Sequence, residues 1–260
     1  MKFNPTIKRA ALPFMILGAG GAGLVLRVML YTLGVDSKGL LPRMHLMHLL
    51  TLLLTAAVAI LLIPSAKRLD GSNRFRHNFP ASVIGGLSAV AAALILLNMN
   101  LDLLSRADET LEYVQVGMLV GSVLSLLVTG IFRFRGKRPL VLFHGFISLA
   151  FAFHMVCQYR LWSANPQLPD YIFHIFACVC LTLTAYNRAA FDVGMGKRTV
   201  FLFFSLMAVY LCFLSLVGAG DVRFYVAGGI WALGNLCPLD PPEKRKFQNT
   251  IRIPDLSERE

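Results

Sequence analysis

The stretch MHLMHLLTLLLTAAVAILLI, residues 44–63, is followed by Pro64 and then by the basic pair Lys67 and Arg68. Its 20 residues include two histidines and two threonines, but no lysine, arginine or carboxylate. An α-helix rises about 1.5 Å per residue, so about 20 apolar residues cross the roughly 30 Å hydrocarbon core of a bilayer. The stretch is therefore predicted to be a transmembrane helix.

The same pattern recurs along the chain, and the composition agrees with it. Of the 260 residues, 56% are hydrophobic and only 15% are charged. A soluble domain of this size does not need so much apolar surface for its core, so the excess is expected to face lipid. We predict an all-α fold, a polytopic bundle of transmembrane helices.

About eight spans are predicted, each bounded by polar or proline-containing connections. They cover residues 11–33, 44–63, 81–101, 113–132, 140–161, 171–188, 199–217 and 222–237. Together they form a single transmembrane domain over residues 1–238. Residues 239–260 hold too few apolar side chains for a core and are predicted to be a mobile, basic tail.

Lysine and arginine are unevenly distributed between the two sides of this bundle. The N-terminus, the second, fourth and sixth connections and the tail together hold 19 of them, and the other connections hold five. Cytoplasmic connections of membrane proteins are enriched in these residues. Both termini are therefore predicted to be cytoplasmic, and the acidic third connection, with Asp108 and Glu109, is predicted to lie outside.

The eighth span is the weakest of the set. It is short, Gly228 and Gly229 interrupt it, and Asp221 and Arg223 crowd its start. A seven-span protein is the alternative. That version would place the basic residues 244–246 outside, against the charge distribution expected of a membrane protein.

The net charge of +11 does not indicate nucleic-acid binding, because the basic residues lie in loops between spans and not on one soluble module. The lipid bilayer, with its anionic headgroups, is the expected partner. Gly117 and Gly121 form a GxxxG pattern, which is typical of closely packed helices. Packing within the monomer and homodimerisation both fit this pattern.

Polar and ionisable residues inside the apolar runs are candidates for function, because they are costly in lipid unless they face the protein interior. In the predicted topology most of them lie in the outward-facing half, and the cytoplasmic half is poorer in them. Several are three or four residues apart and share a helix face. They are predicted to line a common polar cavity near the outer surface: Arg27, His45, His48, Asn98, Asp102, His154, Gln158 and His174.

A purely structural role is the competing interpretation for each of these residues. A histidine at a span end is comfortable in the interfacial zone, and Arg27 can extend its guanidinium toward the headgroups. A metal or haem site would use His45 with His48, or His154 with His174 as an axial pair. The sequence has no HExxH and no Glu-x-x-His pattern, so no metal site, cofactor or catalytic residue is predicted.

Three segments carry a resemblance to a known family. Residues 35–42 read VDSKGLLP, residues 159–171 read YRLWSANPQLPDY, and residues 189–194 read AAFDVG. In these the chain resembles an uncharacterised family of multi-pass membrane proteins from Gram-positive anaerobes such as clostridia. The resemblance covers most of the chain. It implies a plasma-membrane location and brings no assigned activity.

Three functions compete on this sequence. The leading hypothesis is a transporter or solute-handling bundle, in which His48, Asp102, His154 and His174 handle a small solute or protons and Arg27 pairs with an anion. The second is a non-catalytic membrane subunit, sensor or anchor, whose basic cytoplasmic loops dock a partner. The third is a redox anchor handling quinone or haem, similar in span count to the eight-span anchors of dimethyl sulfoxide reductase-like enzymes. Enzymatic activity is not predicted.

Overall fold

The computed structural model of the chain describes residues 5–34, 46–69, 73–163, 171–218 and 221–236. All regular secondary structure in these ranges is helical, as predicted. The helices are α1 (Pro5–Leu33), α2 (Leu46–Arg68), α3 (Phe75–Asn78), α4 (Val83–Arg106), α5 (Thr110–Phe134), α6 (Val141–Ser163), α7 (Ile172–Asp192), α8 (Arg198–Leu214) and α9 (Val222–Leu236).

Each of the eight predicted spans coincides with one helix, and α3 is a short addition within the second connection. The predicted end of the second span at residue 63 is wrong, because α2 continues through Pro64 to Arg68. Pro64 removes one helical hydrogen bond, whereas ending the helix there would leave several backbone groups without hydrogen bonds in lipid. The Ser65 hydroxyl also donates to the Leu61 carbonyl oxygen at 2.7 Å. The predicted tail, residues 239–260, lies outside the described residues.

Six of the helices are long and apolar enough to cross a membrane. They are α1 from Pro13 to Leu33, and α2, α4, α5, α6 and α7 over their full lengths. These six indicate a multi-pass membrane protein. The helix α8 has 17 residues and α9 has 15, which is shorter than the other six.

The surface of α2 shows how the bundle would meet lipid. Only four of its 23 residues are buried. Leu49, Leu53 and Ile60 are among its exposed side chains, with 53%, 58% and 66% of their surface accessible. A monomeric soluble protein rarely presents such a continuous apolar surface to water, whereas lipid accepts it.

The helix α8 has the opposite environment. Twelve of its 17 residues are buried, and it packs against α1, α2, α7 and α9. The helices from α4 to α9 form a closed ring in which each packs against the next and α9 packs back against α4. The helices α1 and α2 pack against each other and against α8.

The alternating helix directions give the bundle two ends. The last turns of α1, α4, α6 and α8 meet the first turns of α2, α5, α7 and α9 at what we call the Arg27 end. The opposite end, where α5 and α7 finish and α4, α6 and α8 begin, is called the Arg188 end. The four cysteines in the described residues are free and buried among the helices: Cys157, Cys178, Cys180 and Cys212.

Close contact between α4 and α9 depends on a glycine. A Cβ atom added at Gly234 would lie 1.7 Å from the Ser88 hydroxyl oxygen and 2.2 Å from the Ser88 Cβ. Small residues at helix interfaces allow such approach in membranes, where dispersion contacts drive association. Gly117, from the predicted GxxxG pattern, has nothing within 4 Å of an added Cβ.

We expect Gly234→Ala to lower the free energy of unfolding by about 1–3 kcal/mol, because the new methyl group overpacks the contact with Ser88. Gly117→Ala is the matched control. It adds the same methyl group in open space and should leave stability unchanged or slightly raised, since alanine favours a helix. Thermal unfolding in detergent micelles measures both. Equal midpoints for the two variants would contradict the packing described here.

Candidate functional site

Arg27 is the most deeply buried charged residue at the Arg27 end, with 0% of its surface accessible. Its Nη2 donates to the Val217 carbonyl oxygen at 3.0 Å, in the segment that follows α8. The guanidinium carbon lies 4.9 Å from the Phe173 ring centroid and 5.6 Å from that of Tyr31. Carbonyl and ring faces together thus hold the charge inside the bundle.

His174 and His48 lie beside Arg27. His174 is fully buried, and its ring packs against Trp162, Tyr171 and Tyr225 at centroid distances of 5.5, 6.3 and 5.0 Å. The His48 ring makes an edge contact with Phe173 at 5.9 Å. Arg27, His48 and His174 therefore form one group of neighbouring side chains.

Gly218 completes this group. Its φ of +126° suits glycine, and an added Cβ would lie 2.6 Å from His174 Nε2 and 3.2 Å from Arg27 Nη2. The chain between α8 and α9 thus passes directly over both side chains. A larger residue here would push the segment away from Arg27 and His174.

His154 forms a second group with residues of α5 and α9. The Gln115 side-chain amide donates to His154 Nδ1 at 2.9 Å. The Phe224 ring stacks on the imidazole, with 4.0 Å between centroids and 22° between planes. His154 and His174 therefore pack against two consecutive residues of α9: His154 against Phe224, and His174 against Tyr225.

A third group surrounds Arg223, near the surface of the Arg27 end. Its guanidinium forms ion pairs with Asp102 and with Asp221, the latter at 3.0 Å. It also donates to the Asn98 side-chain oxygen at 3.1 Å. These contacts tie the last turn of α4 to the first turn of α9.

The first turn of α9 joins the three groups. Arg223, Phe224 and Tyr225 are consecutive, and each contacts a different group of candidate residues. Gln158 is half-buried one turn beyond His154. His45 lies outside the described residues. The common cavity itself stays a prediction.

A second set of buried polar side chains lies at the Arg188 end, where few were expected. The His144 Nδ1 donates to Asp192 Oδ2 at 2.5 Å, and Arg188 Nη1 donates to Asp192 Oδ1 at 2.8 Å. All three residues are buried. One carboxylate thus binds a ring of α6 and a guanidinium of its own helix.

A cluster of phenylalanines surrounds these groups. Phe79 packs against Phe75, Phe191 and Phe201 at centroid distances of 5.6, 5.2 and 5.2 Å. The Arg188 guanidinium carbon lies 3.7 Å from the Phe79 ring centroid, and that of Arg133 lies 5.1 Å from it. The second connection therefore folds back into the bundle and covers both arginines with aromatic rings.

Arg133 differs from Arg188 in its partners. It is 5% exposed, and none of its three guanidinium nitrogens has a hydrogen-bond partner among the described residues. Its guanidinium lies near the Phe79 ring and near the backbone of α4, where a Cβ on Gly85 would lie 2.8 Å from Arg133 Nε. Burying a charge without hydrogen bonds costs several kcal/mol, so this side chain is a candidate binding group for an anion.

The buried polar residues of the Arg188 end are not among the predicted site residues. The fourth and sixth spans are predicted to end at residues 132 and 188, which places Arg133, Arg188 and Asp192 at or beyond the span ends, in solvated connections. In the structure α7 extends to Asp192. The sequence does hold one sign that the helix continues. Arg188 and Asp192 are four residues apart, and the AAF segment between them is compatible with a helix, so the two side chains can form an ion pair on one helix face.

Comparison with known proteins gives no family assignment: no family model matches the chain, and no curated protein or solved structure matches it. Among the described residues, no group of three or more histidine, cysteine, aspartate or glutamate side chains is placed to hold a metal ion. The resemblance to membrane proteins of Gram-positive anaerobes stays a prediction.

We expect Asp192→Asn to lower the free energy of unfolding by about 3 kcal/mol or more. The amide keeps the size of the carboxylate but leaves Arg188 buried without its counter-charge. Arg160→Gln is the control, since it breaks an ion pair with Glu109 whose side chains are 58% and 61% exposed, and such pairs contribute about 1 kcal/mol or less. Chemical denaturation in detergent compares them. A loss no greater for Asp192→Asn than for Arg160→Gln would show that the buried carboxylate charge is dispensable.

Proposed function

We propose that this chain is an eight-span, transporter-like protein of the plasma membrane that handles a small anionic solute, with both termini in the cytoplasm. The proposal keeps the solute-handling function expected from the sequence and adds the sign of the solute's charge. Two observations support it: the path of the helices α8 and α9, and the charged side chains that are buried in the bundle.

The contacts of α8 and α9 support eight spans over seven. The Arg198 backbone N–H, at the start of α8, donates to Asn73 at the Arg188 end, and Val217 beyond its last turn binds Arg27 at the other end. In the first turn of α9, Arg223 pairs with Asp102. Near its other end, Gly234 lies beside Gly85 of α4, which in turn contacts Arg133. Each short helix therefore runs between the same two ends as the six long ones.

The orientation can be tested with reporter fusions. A fluorescent protein that folds only in the cytoplasm should be bright when fused after Glu260 or after Arg138. Alkaline phosphatase, which is active only outside, should be active when fused after Ala107. An active phosphatase and a dark fluorescent protein at Glu260 would contradict the topology and favour seven spans.

The buried charges indicate an anionic solute. Among the described residues the buried charged side chains are four arginines and one aspartate: Arg27, Arg133, Arg188, Arg198 and Asp192. Arg188 is paired with Asp192, and an arginine does not lose its proton in a protein, so the positive charge of Arg133 persists. Counter-charge from a bound anion would stabilise it.

The main support for an anionic solute is the environment of Arg133. Its guanidinium is buried and lacks hydrogen-bond partners among the described residues, while the Asp192 carboxylate is bound by Arg188 and His144. Guanidinium groups bind carboxylate and phosphate oxygens in a two-pronged geometry. A small anion that enters from the Arg188 end would provide these oxygens.

Uptake into proteoliposomes tests the function. We expect the purified protein to accelerate uptake of at least one of radiolabelled phosphate, sulfate or succinate over protein-free liposomes. Arg133→Gln should reduce that uptake by about tenfold or more, as loss of a charge-assisted bond of about 1.5–3 kcal/mol would. Arg135→Gln, at an exposed position two residues along, should leave it unchanged.

Two further variants make the result decisive. Arg133→Lys keeps the charge and should retain part of the uptake, which separates a charge requirement from misfolding. Asp240→Asn combined with Glu243→Gln neutralises the nearest acids that follow α9 in the chain, and should not alter uptake if the anion comes from solution. Uptake of all three probes at the protein-free rate would contradict the proposed function.

A further inference from the structure

A basic pocket lies at the surface of the Arg188 end, outside the helices that are long enough to span a membrane. Its lining consists of residues 73–77 in the second connection, residues 136–138 in the fourth, and Gly194 after α7. The cavity has a volume of about 850 Å³. This lies within the range of about 300–1,000 Å³ that is typical of small-molecule sites.

The lining is strongly basic. Five of its nine residues carry basic side chains, and none of the nine carries a carboxylate: Arg74, Arg76, His77, Lys137 and Arg138 are the five. They come from two connections that are separated by the whole of α4 and α5. Folding therefore gathers charges that the sequence holds in two clusters about 60 residues apart.

Phe75 connects the pocket to the buried arginines. The centroid of its ring lies 5.2 Å from the guanidinium carbon of Arg138, which lines the pocket. The same centroid lies 4.9 Å from the guanidinium carbon of buried Arg188. Phe75 is itself only 5% exposed. Phe75 thus separates the pocket from the buried Arg188–Asp192 ion pair, and the attraction for an anion comes from the basic side chains that line the pocket.

We propose that the basic pocket is a binding site for a phosphate group. Guanidinium groups bind phosphate oxygens bidentately, and a lysine adds a point charge. Basic pockets on the cytoplasmic side of membrane proteins bind phospholipid headgroups, and a soluble phosphate compound presents the same group. The site lies at the bundle surface, so this proposal goes beyond transport and holds whether or not the bundle moves a solute.

The test compares two double variants that remove the same number of positive charges. Arg76→Gln with Arg138→Gln removes charges from the pocket. Lys67→Gln with Arg135→Gln removes charges from exposed positions in or beside the same two connections that do not line it. Both pairs leave Arg133 and Arg188 in place, so the result is independent of the uptake assay.

Two binding measurements distinguish the source of the phosphate. In nanodiscs of phosphatidylcholine alone, calorimetric titration with inorganic pyrophosphate reports a soluble ligand. After reconstitution with equal amounts of phosphatidylglycerol and phosphatidylcholine, mass spectrometry of the retained lipid reports a headgroup. The wild-type protein and the control pair should bind in at least one measurement, and the pocket pair should bind about tenfold more weakly or less in that measurement.

Each outcome decides the matter. Loss of pyrophosphate binding confined to the pocket pair supports a soluble phosphate ligand, and loss of phosphatidylglycerol retention confined to that pair supports a lipid headgroup. Equal losses in the two pairs would show that only overall charge matters and would overturn the proposal. Absence of binding by the wild-type protein in both measurements would overturn it as well.

Discussion

At the Arg188 end two guanidinium groups are buried and only that of Arg188 pairs with the buried Asp192 carboxylate, and much of the bundle is arranged around these groups. Arg188 is paired with Asp192, while Arg133 packs against Phe79 and lies close to the backbone of α4. The residues that enclose these charges come from the second connection and from α5, α6, α7 and α8. A charge in a medium of low dielectric constant interacts strongly with whatever lies near it, so this end constrains several helices at once.

The Arg27 end is built differently, although it also buries an arginine. Its polar side chains are distributed among three groups, and the first turn of α9 contacts all of them. The helix α9 also reaches the Arg188 end, where Gly234 permits contact with α4. Any displacement of α9 would therefore affect both ends of the bundle.

The sequence predicted the helices well because lipid imposes a simple rule. Long apolar runs such as residues 44–63 must be helical in a bilayer, since no water is present to satisfy their backbone groups. The grouping of Arg27, His48 and His174 was within reach for a related reason, because polar residues in such runs turn toward one another.

The Arg188 end could not be predicted from the sequence, because charged residues at the ends of apolar runs ordinarily mark the boundary of a span. Arg133, Arg188 and Asp192 fall at the ends of apolar runs, where basic residues usually meet headgroups and water. Only tertiary structure reveals that Phe75 and Phe79 fold over them. The partners of Arg223 are likewise visible only in the tertiary structure. Two of them, Asp102 and Asn98, lie in α4, and the third, Asp221, directly precedes α9.

The central claim is that the positive charge buried around Arg133 is stabilised by an anion from solution. The most direct measurement is the unfolding temperature of the purified protein as inorganic phosphate replaces gluconate at constant ionic strength. A ligand that binds only the folded state raises stability with the logarithm of its concentration. Because the basic pocket is itself proposed to bind phosphate, both proteins in this comparison carry Arg76→Gln and Arg138→Gln. The protein that keeps Arg133 should show the rise, and the same protein with Arg133→Gln should not; an equal rise in both, or none in the first, would contradict the claim.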